Sequence, residues 1–141
     1  MTWPLTIGLI ALMVIWMVRT TLNKSRRCYA VKLTADALMD GRMSLSAAEF
    51  AEKHFPASQE VAARLLGILS NELIVDVSRI HPTDRLFVDL GLGAVDAMDS
   101  VFVAMDVEEA FNADIAGLLQ INSVTIADIV SHIQLHKTNG G

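Results

Sequence analysis

The sequence predicts an all-α protein made of one N-terminal transmembrane helix and a small helical bundle, and three observations carry that prediction. First, a mean hydropathy of +0.43 and a hydrophobic fraction of 52% are pooled at one end of the chain. Residues 1–18 (MTWPLTIGLIALMVIWMV) hold no ionisable side chain. At ~1.5 Å rise per residue, such a helix nearly crosses a ~30 Å hydrocarbon core. Second, apolar residues in the remainder recur at helical spacing, with no alternating strand pattern and no internal repeat. Third, capping residues, Gly41 and Pro56 cut that remainder into helix-length pieces.

Composition excludes several classes. A chain of 141 residues holds one domain of ordinary size. With 11 Lys+Arg against 16 Asp+Glu and a net charge of −5, the main domain has no basic face to displace counterions from phosphates, so nucleic acid is not a partner. A single cysteine, Cys28, excludes a disulfide scaffold.

The membrane helix is read over residues 1–22. Residues 1–33 carry Arg19, Lys24, Arg26, Arg27 and Lys32 and no acid, whereas residues 34–141 carry the other 6 bases and all 16 acids, a net −10. Positive charge directly after the apolar run predicts the N-terminus outside and the main domain in the cytoplasm. Trp3 and Trp16 stand near the two ends of the run, where indole rings prefer the interface. A cleaved secretory signal would need its positive charge before the apolar run and a small-residue cleavage site after it, and neither is present. Cys28 falls at the cytoplasmic membrane edge, as a free thiol or an S-palmitoylation site.

Residues 23–57 read as a basic juxtamembrane segment and helical stalk. Residues 29–40 are weakly amphipathic, and Gly41 supplies the stop. Ser46-Ala47-Ala48-Glu49 is a capping box for a short helix through His54, closed by Pro56. From Ser58, which can cap a longer helix, Val61, Leu65, Leu66, Ile68, Leu69 and Leu73 recur at helical spacing. An irregular stretch, 74–91, offers Val75, Val77, Ile80, Leu86, Phe87 and Leu90 as inward residues and ends in an Asp89-Leu90-Gly91 turn. Helix is expected from near Val95 to Phe111, with Met98, Val101, Phe102, Met105 and Val107 as apolar bulk. A short apolar piece follows at 116–119, then a helix from a Ser123 cap to about Leu135.

This order of elements resembles the acyl carrier protein family over about residues 58–136. The resemblance rests on DRLFVDLG (84–91), DAMD (96–99), EEAF (108–111) and INSVTIADIV (121–130). Members of that family read D-S-L-[DE] at the start of their second helix and E-E-x-F at its end. Counting back from Phe111 without a gap sets DAMD on D-S-L-D, so the family's modified serine falls on Ala97. That hydroxyl receives 4′-phosphopantetheine, whose thiol carries the acyl group, and alanine has no nucleophile to accept it. The LGAV stretch before Asp96 is about three residues longer than usual, and the third element about two shorter. A second register puts Asp99-Ser100-Val101 on D-S-L and makes Ser100 the attachment site. It needs a three-residue deletion inside the helix, which turns every later apolar position by about 60°.

Independently of the family, residues 84–128 carry nine acids and one base, Arg85. Asp96, Asp99 and Asp106 share a helical face that would attract a basic partner. The ordinary reading of such a face is a solvated surface with acids placed favourably near the helix N-terminus. His132 and His136, four apart, lack the further ligands a zinc site needs. No Ser-His-Asp order, phosphate loop or HExxH occurs, and Gly91 and Gly93 lack the strand and third glycine of a dinucleotide loop.

The expectation is therefore a single-pass membrane protein whose acyl-carrier-like four-helix domain (58–137, followed by a flexible 138–141 tail) acts as a docking or accessory subunit of a larger membrane complex. It is not an enzyme and needs no cofactor or metal. Its partners are the bilayer, through residues 1–22, and a basic surface of a complex subunit, met by Asp96, Met98, Asp99, Phe102 and Asp106. The rival expectation is a functional carrier, modified with 4′-phosphopantetheine on Ser100, delivering acyl chains to a membrane-bound acyltransferase or synthase.

Overall fold

A computed structural model describes residues 3–140. It is all-helical: α1 (Trp3–Met39), α2 (Ala47–His54), α3 (Gln59–Glu72), α4 (Met98–Phe111) and α5 (Ile126–Asn139), with 3₁₀ turns at Val77–Arg79 and Leu118–Gln120. The described residues contain no strand, only a single antiparallel bridge between Arg85 and Thr125.

Helix α1 is continuous for 37 residues and is long and apolar enough to cross a membrane. Pro4 stands in its first turn, where the missing N–H costs nothing. It ends where Gly41 takes φ +76°, a left-handed geometry suited to glycine. The segment read as a stalk enters the domain: Ala35, Met39, Phe50 and Ala51 are buried in its core. Val31, Ala35 and Met39 are four apart, so one stripe of α1 faces the bundle.

Helix α2 starts at the expected capping box, the Ser46 hydroxyl accepting from the Glu49 N–H at 3.2 Å and the Glu49 carboxylate accepting from the Ser46 N–H at 2.7 Å. Ser58 precedes α3, yet its side chain makes no capping bond. The α3 stripe is buried at Val61, Ala62, Leu65, Leu66 and Leu69, and α5 answers it with Ile126, Ile129, Val130 and Ile133. Two starts differ from expectation. Helix α4 begins at Met98 rather than near Val95, because the Asp96 carboxylate accepts from the Met98 N–H at 3.0 Å and sets the first turn there. Helix α5 is capped by Thr125, not Ser123: the Thr125 hydroxyl and the Asp128 carboxylate exchange bonds with each other's N–H groups, at 3.2 and 2.9 Å, and the helix runs on to Asn139.

The 74–91 stretch is pinned from both sides. Leu45 N–H donates to the Ser78 carbonyl at 2.8 Å, and Leu86 N–H to the Val124 carbonyl at 3.0 Å. Asp84 is buried and receives the Arg42 guanidinium in two bonds, at 2.7 and 3.0 Å, and the His81 N–H at 2.8 Å. The bond to Asp84 outweighs burial and holds the Arg42 guanidinium above its ordinary pKa.

Arg42→Ala would leave the Asp84 carboxylate buried with much less to satisfy it, and we expect a loss of about 3 kcal/mol in the thermal unfolding of the full chain in detergent. Arg85→Ala, which breaks an ion pair at the surface, should cost far less in the same melt.

Candidate functional site

The loop before α4 turns on two glycines in left-handed conformation, Gly91 at φ +70° and Gly93 at φ +75°. Leu86, Leu90 and Leu92 are buried between and around these turns, and Leu92 N–H donates to the Leu86 carbonyl at 2.9 Å. Asp89 clamps the same loop, accepting from the Arg85 backbone N–H at 2.8 Å and from its guanidinium twice at 3.0 Å. That guanidinium holds the Asp89 carboxyl below its usual range, and the carboxylate in turn raises Arg85.

Ala97 follows at the N-cap of α4 with φ −62° and ψ −22°, exposed, and with no side chain to accept a capping bond. Ser100 stands one turn later, half-buried, its hydroxyl donating to the Ala97 carbonyl at 3.0 Å. The two candidate attachment positions are thus neighbours on one turn. Ala97 can supply no nucleophile there, and the Ser100 hydroxyl is already engaged with the backbone.

Helix α4 buries Val103, Val107 and Phe111, a stripe of spacing four. Arg64 of α3 lies over the Phe111 ring, its guanidinium carbon 5.0 Å from the centroid. Of the apolar residues expected along α4, Val107 is in this buried stripe, whereas Met98, Val101, Phe102 and Met105 are 43–58% exposed. At i, i+3, i+4 and i+7 they form one apolar surface stripe. Val101 accordingly does not line the bundle interior, unlike Leu69 and Ile129, which are fully buried. Asp96 and Asp99 flank the start of this stripe and Asp106 lies near its end.

Charge crowds this surface. Burial and the nearby Asp96 push the Asp99 carboxyl up, with Lys24 of α1 acting against them. Burial, then Asp99 and Asp106, push Glu72 up as well. Glu72 is a member of the acidic face that sequence reading missed, because it ends α3 and only folding brings it beside α4. The histidine pair does not gather ligands: His132 donates through Nε2 to the Asp114 carbonyl at 3.0 Å, tying α5 to the loop after α4. Among the described residues no three His, Cys, Asp or Glu side chains cluster as a metal site requires.

The domain is thus helical, with a pinned loop that leads to the start of a helix whose surface is acidic and apolar. Known proteins place it further. The chain is 40% identical over 67 residues to "Acyl carrier protein MbtL" of Mycolicibacterium paratuberculosis, covering 43% of this chain and 75% of that protein. It is 36% identical over 78 residues to "Acyl carrier protein" of Thermotoga maritima, covering 54% of this chain and 90% of that one. No protein-family model and no solved structure matches. The chain belongs to the acyl carrier protein family.

The pKa shifts have opposite signs for stability. Asp89 is depressed, so its contribution is full above the unfolded carboxylate pKa and is lost as pH falls through the lower folded value. Glu72 is raised, so its ionisation costs stability at pH 7 and that cost disappears as pH falls through the raised value. Asp89→Asn should therefore lower the melting temperature at pH 7 and Glu72→Gln should raise it, and both differences should shrink on acidification below ~pH 4.

Proposed function

We propose that this protein is a membrane-anchored member of the acyl carrier family that has lost its phosphopantetheine attachment residue and serves as a docking or accessory subunit of a larger membrane complex. The observation that carries this is the gapless register from Phe111 back to Asp96, which puts Ala97 at the start of α4 where the family's serine stands. Helix α1 is the anchor, N-terminus outside, with the domain in the cytoplasm behind the basic residues Arg19, Lys24, Arg26 and Arg27. Docking is by α4. Its apolar stripe would seat in a partner groove while Asp96, Asp99 and Asp106 steer a basic rim.

The exposure of that stripe supports this reading over a merely solvated acidic face, since four large apolar side chains on one helix face are costly to leave in water. A protein of this kind turns over no substrate. Its output is the placement of a partner at the membrane.

Intact-mass measurement of the purified full chain, incubated with a phosphopantetheinyl transferase and coenzyme A, tests the register. The wild type and Ser100→Ala should gain nothing, and Ala97→Ser should gain one phosphopantetheine. A wild-type adduct that Ser100→Ala abolishes would make this an anchored acyl carrier working through Ser100.

A further inference from the structure

The basic end of the anchor runs past the start of α4. Val95 lines a cavity of about 260 Å³ together with Thr20, Asn23, Lys24 and Arg27. Farther along α1, Ala30, Val31 and Thr34 face Phe87, Gly91 and Ala94 across a second groove of about 250 Å³. The approach is tight: a Cβ at Gly91 would run into the Val31 side chain. Lys24 is also near enough to Asp99 to oppose the rise of its pKa.

Heights along the anchor follow from the helix rise. Val18 ends the ionisable-free run, and Thr20 and Lys24 lie ~3 and ~9 Å beyond it at ~1.5 Å per residue. The headgroup layer occupies the ~5–8 Å outside the hydrocarbon core. Val95, across the cavity from Thr20 to Arg27, is therefore at or just above headgroup level.

We propose that the segment leading into α4, from Ala94 to Ala97, is held in the lipid headgroup layer by the approach of its loop to α1, so that an anionic bilayer surface is its contact partner. This inference rests on the anchoring reading above. The charges fit an anionic surface. Alone, Asp96 and Asp99 would be repelled by it, but Arg19, Lys24, Arg26 and Arg27 stand on the adjacent stretch of α1 and are attracted to it. Val95 supplies apolar contact at the same level. A partner that reaches Ala97 then does so along the bilayer surface, and a lipid-embedded partner has the shorter path.

The test uses the full chain, with Cys28→Ser, in vesicles of phosphatidylcholine and phosphatidylglycerol. A fluorophore is attached at one new cysteine: Ala97→Cys at the site, Asp40→Cys about 33 Å beyond Val18 along the α1 axis, or Ala11→Cys inside the span. Lipids carrying a nitroxide on the headgroup should quench the Ala97 label several-fold more than the Asp40 label. Lipids carrying it at mid-chain should quench the Ala11 label. Equal quenching at Ala97 and Asp40, with Ala11 quenched as expected, would overturn the headgroup placement and leave the anchor standing. An Ala11 label untouched by mid-chain nitroxide would overturn the anchor, and the placement with it.

Discussion

Asp84 is where the turn after α1, the long loop and the start of the last helix meet. It takes the Arg42 guanidinium at 2.7 and 3.0 Å and the His81 N–H at 2.8 Å, and the residue's carbonyl takes the Ile126 N–H at 3.3 Å. A carboxylate 3% exposed persists only with its oxygens satisfied, so each of these partners is constrained in turn. Arg42 follows Gly41 directly, and so the pair fixes the direction in which the chain leaves α1. That direction keeps Ala35 and Met39 in the core. It also makes a 37-residue helix part of the domain instead of a loosely tethered leader.

With α1 fixed, the path of the loop before α4 is narrow. Leu86, Leu90 and Leu92 are buried on the domain side, and Val31 stands against Gly91 on the other. A glycine is needed at 91 twice over, for the left-handed backbone and for the absence of a Cβ. The Arg85–Asp89 clamp then closes the loop from outside. The start of α4 is thus positioned by interactions far from it in sequence.

Much of this was legible from residues alone, because the signals were local. The apolar run, the Gly41 stop, the Ser46 capping box and the α3 stripe all act within a few residues of themselves. The α5 start was misplaced because Ser123 and Thr125, two residues apart, could each cap and a tertiary contact chose between them, whereas the α4 start is set by the local bond from the Met98 N–H to the Asp96 carboxylate, which periodicity does not register. Thr125 lies beside Arg85 in the single bridge, which orients it over its own helix, whereas Ser123 is left exposed. The exposure of Val101 and Met105 was not legible, whereas Met98 and Phe102 stand on the α4 surface expected to meet a partner. Helical periodicity identifies an apolar face but does not tell a core from a partner surface. Nor could spacing bring Glu72 or Lys24 beside Asp99, since long-range folding does that.

The α4 surface works against the stability of its own domain. Asp99 and Glu72 sit where burial and neighbouring acids make ionisation unfavourable, and four large apolar side chains face water beside them. A helix selected only for folding would exchange them for polar and basic residues at little cost. Their coexistence is intelligible if the missing counterparts lie on another molecule, where basic groups relieve the acids and a groove covers the stripe. None of these contacts involves the atom at which a carrier is modified. On the proposed register, the methyl group of Ala97 would remove the chemistry of acyl transport while leaving intact the loop, the helix start and the face around it. The binding surface and the attachment chemistry would then be separable in this fold, the chain keeping the first without the second.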